Sequence, residues 1–162
     1  MGLFDKFKKE KTKTFEDEFV DVQEGMISLC EELAGDTAVD EICIYGSIED
    51  GALSFNAFYL TQGKCVTASK ISSDHTTIKQ FLREGCDDLI RLSEVCKEYD
   101  RPVPTELRLR YKTASRRLDT HYEYDPICTL ENNKLPSDIF KSWKESVEKA
   151  YEQRATETTE RA

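Results

Sequence analysis

The sequence predicts an α+β domain in which helices pack on an antiparallel sheet of about five strands, in the order α-β-β-β-α-β-β-α. Three observations carry this expectation. Apolar residues recur every three or four positions in three separate segments, which is helix spacing. Between those segments they alternate every second position, which is strand spacing. The strand-like segments follow one another through short turns, and connections that short join only antiparallel neighbours.

The first helix is expected from Phe15 to Ala34, where Phe19, Val22, Met26, Cys30 and Leu33 form one stripe and Gly35 supplies a C-terminal stop. Its other side carries Asp17, Asp21, Glu24 and Glu31 with no lysine among them. Like charges therefore stand three and four positions apart, each pair costing about 0.2–0.5 kcal/mol. Strands follow at Glu41–Ile48, Ala52–Leu60 and Lys64–Ser69. Asp50-Gly51 and Gln62-Gly63 mark the turns between them, because glycine accepts the positive φ of a tight hairpin. A second helix runs from about His75 to Tyr99 behind an Asp74 cap, with Ile78, Phe81, Leu82, Leu89, Leu92, Val95, Cys96 and Tyr99 facing inward.

Pro102 and Pro104 exclude further helix and open the clearest two-residue alternation in the chain: Leu107, Leu109 and Tyr111 against Arg108, Arg110 and Lys112. In the partner strand Leu118, Thr120, Tyr122 and Tyr124 alternate with Asp119, His121, Glu123 and Asp125. A four-residue turn, Thr113 to Arg116, sets Arg110 opposite Asp119 and Arg108 opposite His121, so a basic outer row meets an acidic one. A third helix starts near Ser137 after Leu135-Pro136, with Phe140, Trp143, Val147 and Tyr151 as its buried stripe. Residues 1–13 are expected as a basic flexible arm, 14–153 as the single folded domain and 154–162 as a disordered tail.

A chain of 162 residues is long enough to bury a core without disulfides or a structural metal. Six widely spaced cysteines with no C-x-x-C pair read as reduced, buried thiols. No apolar run approaches the roughly 18 residues of a spanning helix, and the N-terminus lacks the apolar core of a secretory signal, so a cytoplasmic protein is expected. The net charge of -9 is unevenly placed: between Thr14 and Gly63 lie twelve acidic residues and no Lys or Arg.

With His75 and His121 as the two histidines and no H-x-x-x-H pair, no metal site and no cofactor are expected. Phosphate-cradling loops and the nucleophile elbow are also missing from the sequence, so catalysis is not expected. The best enzymatic alternative makes Cys43 or Cys65 a nucleophile with His121 as its base. A membrane-peripheral adaptor using Leu3, Phe4 and Phe7 of the arm is the other alternative, with marginal membrane affinity. The acidic block repels a duplex and points instead to a protein partner with a basic surface.

Several segments carry a family resemblance: Ile42-Cys43-Ile44-Tyr45-Gly46-Ser47-Ile48-Glu49-Asp50-Gly51; Pro104-Thr105-Glu106-Leu107-Arg108-Leu109; Leu118-Asp119 leading to Tyr122-Glu123-Tyr124-Asp125; and Pro136 followed by Trp143. In order and spacing they resemble the YezG family of bacterial immunity proteins, antitoxins of polymorphic secreted toxins, over roughly residues 20 to 152. The basic arm and the cysteines are not part of that pattern. The resemblance implies a cytosolic protein that binds the C-terminal toxin domain of an effector, commonly a nuclease, and blocks it stoichiometrically. It makes Tyr45, Tyr122, Tyr124 and Asp125 interface candidates, although these tyrosines serve equally as core aromatics. The acidic helix (Asp17, Asp21, Glu24) and the exposed rows at Glu49, Asp50, Asp119 and Glu123 complete the expected contact surface.

Overall fold

The computed structural model describes residues 13–129 and 131–161, with side chains as far as Arg154. The expected arm therefore lies outside the described residues except for Lys13. The elements, in chain order, are α1 (Phe15–Ala34), β1 (Glu41–Glu49), β2 (Ala52–Thr61), β3 (Lys64–Thr67), α2 (Ala68–Ile71), α3 (His75–Glu98), β4 (Glu106–Lys112), β5 (Arg117–Glu123) and α4 (Pro136–Arg161). The α+β architecture is as expected, with five strands in one antiparallel sheet ordered β3-β2-β1-β4-β5.

The local signals explain the element ends. Thr14 and Asp17 form a reciprocal capping box at the start of α1, and Gly35 (φ 58°) closes it by donating its N–H to the Glu31 carbonyl. Asp74 caps α3 by accepting from the Thr76 N–H and the Thr77 hydroxyl. Both hairpins between β1, β2 and β3 turn through two residues of positive φ, Asp50-Gly51 and Gln62-Gly63.

Three details differ from the sequence reading. β3 stops at Thr67, because the chain turns into the short helix α2, which buries Ala68 against the core. Tyr124 lies beyond β5 and is half exposed. Helix α4 continues through the expected disordered tail to Arg161; no Pro or Gly follows Pro136, and Ala, Glu and Arg favour helix.

The strand β1 is buried on both sides, with Ile42 and Ile44 on one face and Cys43 and Tyr45 on the other, so it demands cover on both. The molecule meets that demand with three layers. Helices α1 and α3 pack on each other and on the first face, around Met26, Cys30, Tyr59, Leu89, Leu92, Leu107 and Leu109. Helix α4 packs on the second face with Phe140, Trp143 and Val147 against Cys43, Tyr45, Phe58 and Leu60. Close approach of α3 depends on Gly85, where an added Cβ would lie 2.0 Å from the Phe55 ring.

The second face is covered unevenly. Helix α4 spans β1 to β3, leaving the β4–β5 half of that face to polar side chains. There the register places Arg110 opposite Asp119 and Arg108 opposite His121, as the alternation predicts.

Candidate functional site

Helix α1 builds the strongest electrostatic feature. Its apolar stripe is turned inward, which leaves Asp17, Asp21, Glu24, Glu31 and Glu32 in solvent. Asp17 is engaged in the cap and Asp21 lies 3.7 Å from the Lys13 ammonium. Arg101, whose guanidinium sits 5.0 Å above the Phe15 ring, reaches Glu16 at 3.9 Å. These contacts are exposed and sit at the first turns; Glu24, Glu31 and Glu32 have no ion pair among the described residues.

Helix α3 extends the acidic surface. Gly25 and Ser28 leave a gap beside it, and a groove of about 310 Å³ opens there, lined also by Leu29, Glu32, Glu84, Asp87 and Asp88. Burial, supported by Asp87 and Glu84 against the nearby Arg91, holds the Asp88 carboxyl above its ordinary range. Carboxylates crowded this way gain most from an incoming cation. The α3 acids lie outside the contact surface expected from the sequence. Their spacing at 84, 87 and 88 puts them on one helix flank, a signal that could have found them.

The other expected contact residues are dispersed. Tyr45 is 1% exposed and packs on Phe140 at 5.9 Å between ring centroids. It belongs to the core, because its position in β1 points it under α4. Tyr122 is half-buried on the α1 side, where its ring meets Phe19 edge to face and its hydroxyl accepts from the Gln23 amide. Glu49 accepts the backbone N–H groups of Ile127 and Cys128, both at 2.8 Å, and so ties the segment after β5 to the end of β1. Asp50 is an exposed turn residue. Asp125 is exposed, and its carbonyl accepts from the Thr105 hydroxyl.

Asp119 and Glu123 lie on the α4 face of the sheet, opposite to α1, so the two expected acidic surfaces do not form one patch. Nor do the β5 acids form direct ion pairs with the basic row of β4, although Asp119 acts on Arg110 at longer range. Arg110 instead pairs with the buried Glu41 at 2.5 Å and Arg108 with the buried Glu106 at 2.7 Å, while Asp119 meets Arg117 and Glu123 meets His121. Buried glutamates hold their arginines because an unpaired buried carboxylate is costly. Arg108 also lies over the Trp143 ring, 5.5 Å from its centroid, beside a groove of about 420 Å³ between β4 and α4.

The thiol–imidazole pair is not assembled. Cys43 is fully buried and its thiol is pushed up by desolvation. Cys65, raised to about 11 mainly by burial, sits on β3, four strand steps or about 19 Å from β5 and His121. Among the described residues no cluster of three His, Cys, Asp or Glu is placed to hold a metal, and no helix is long and apolar enough to cross a membrane. No family model matches the chain, and no curated protein matches it.

Proposed function

We propose that this chain is an immunity protein that acts in the cytoplasm, binding the C-terminal toxin domain of a secreted bacterial effector and blocking it without turnover. The observation that carries the reading is the acidic surface of α1 and α3, where Asp21, Glu24, Glu31, Glu32, Glu84 and Asp87 are exposed. Helix α1 has no Lys or Arg of its own with which to answer them. Such a surface costs its own helix stability and complements a basic cleft. A nuclease is the favoured target, because its cleft is built to receive phosphates and carboxylates can occupy the same positions. The family resemblance supports the same class of partner.

Co-expression with the C-terminal domain of a toxin encoded next to this chain tests the proposal. Growth rescue together with a one-to-one complex on purification is the expected outcome. Absence of both overturns it.

A further inference from the structure

We propose that the chain pairs with a second copy of itself through the outer edge of β5, joining two five-stranded sheets into one. β5 ends the sheet, and its register with β4 turns the backbone groups of Arg117, Asp119, His121 and Glu123 inward. Those of Leu118, Thr120 and Tyr122 then face outward, and among the described residues no backbone or side-chain group hydrogen-bonds to them. A seven-residue edge of this kind is a template for another strand.

The side chains say which strand fits. Read against itself in antiparallel sense about Thr120, β5 places Arg117 opposite Glu123 and Asp119 opposite His121 on one face. On the other face it places Leu118 opposite Tyr122 and Thr120 opposite Thr120. Arg117 and Glu123 thus meet opposite charges, twice by symmetry, Asp119 faces an imidazole that can donate to it, and the outward backbone groups fall into hydrogen-bonded pairs. Sliding by two residues sets Asp119 against Asp119 in one direction and Asp119 against Glu123 in the other. Parallel pairing would face each charge with itself. Charges at an edge ordinarily oppose pairing; these favour the centred antiparallel register over the shifted and parallel ones.

A second observation points the same way. Within the chain, the ends of the β4–β5 pair oppose like charges, Lys112 with Arg117 and Glu106 with Glu123. Like charges directly opposite are destabilising. A second copy would bring Glu123 to the outer side of Arg117 and Arg117 to the outer side of Glu123, offsetting both. One strand pair is smaller than the roughly 1,000 Å² of a durable interface, so dissociation in the micromolar range is expected.

Sedimentation velocity of the full-length chain over a concentration series tests this. The wild type is expected to pass reversibly from monomer to dimer by high-micromolar concentration. Arg117→Glu alone and Glu123→Arg alone should each weaken the dimer by about tenfold or more, since each replaces two attractive pairs by repulsive ones. Each removes a like-charge pair within its own chain at the loss of one exposed contact, Arg117–Asp119 or His121–Glu123, so both are expected to fold. Mixing the two variants should restore a dimer, because both pairs between positions 117 and 123 are then again of opposite sign. Thr120→Pro, which deletes an outward N–H and leaves the β4 ladder intact, should leave a folded monomer. A wild type monomeric at every concentration overturns the proposal, as does a dimer unaffected in the single variants or one that mixing fails to restore.

Discussion

The two faces of the sheet solve the same burial problem with unequal means. On one, α1 and α3 cover the sheet as far as β5, whose Leu118 and Tyr122 pack against the same core. On the other, the single helix α4 covers β1 to β3, and the remaining width is closed by Arg–Glu pairs beside Trp143. The difference teaches where charge can be placed freely. Behind the larger core the acids of α1 and α3 stand in open solvent with little internal engagement, whereas on the α4 face nearly every charged residue of β4 and β5 has a partner within the fold. On that face the arginines of β4 are held by buried glutamates, so the helical face is the better candidate for a basic partner, while the β5 charges lie along a free strand edge.

The largest expected effect follows from the larger core. Leu89 is fully buried against Gly46, which has no side chain with which to fill a void. Leu89→Ala is therefore expected to cost about 4 kcal/mol in urea unfolding. Phe140→Ala on the α4 face should cost about 3 kcal/mol, the low end for its type, because a ring 8% exposed at the rim of a smaller cluster leaves a site that collapses more readily. Equal losses would indicate that the faces are not as unequal as described. Glu41→Ala leaves the half-buried Arg110 without its carboxylate and should cost about 1–2 kcal/mol, discounted from a fully buried pair for the water that reaches Arg110.

Two smaller effects probe the acidic face. Asp21→Asn removes repulsion from Asp17 and Glu24 at the loss of an exposed contact with Lys13, for a net gain of about 0.5 kcal/mol or less. At Asp88 the sign is set by the raised carboxyl. A group harder to ionise in the folded than in the unfolded chain destabilises the fold above its folded pKa, and the penalty fades as pH falls through that value. Asp88→Asn is expected to raise Tm at neutral pH, with the gap to wild type closing as pH falls through the carboxylate range. A gap that is constant with pH would show that packing, not charge, sets the difference.

Much of this fold was legible in the residues. The register of β4 with β5 followed from two opposed alternations joined by a turn of fixed length, and the caps at Thr14, Gly35 and Asp74 are short-range chemistry. The layering was less so. A helical stripe shows that α4 has an apolar side, but not which sheet face receives it; the clue lay in β1, apolar on both sides. The partner of Arg110 was not legible either, since Glu41 is distant in sequence and reaches Arg110 across the β1–β4 pairing. Tyr45 was ambiguous for the same reason: alternation assigns it a face, and only the position of α4 buries it.

The central claim is that the α1–α3 acidic face steers and docks a basic protein partner. It is tested most directly by stopped-flow association of the chain with a basic toxin domain of the proposed kind, comparing wild type with a variant carrying Asp17→Lys, Asp21→Lys and Glu24→Lys. At low ionic strength the account predicts an association rate lower by about tenfold or more, with a flatter dependence on salt. An unchanged rate and salt dependence would contradict it.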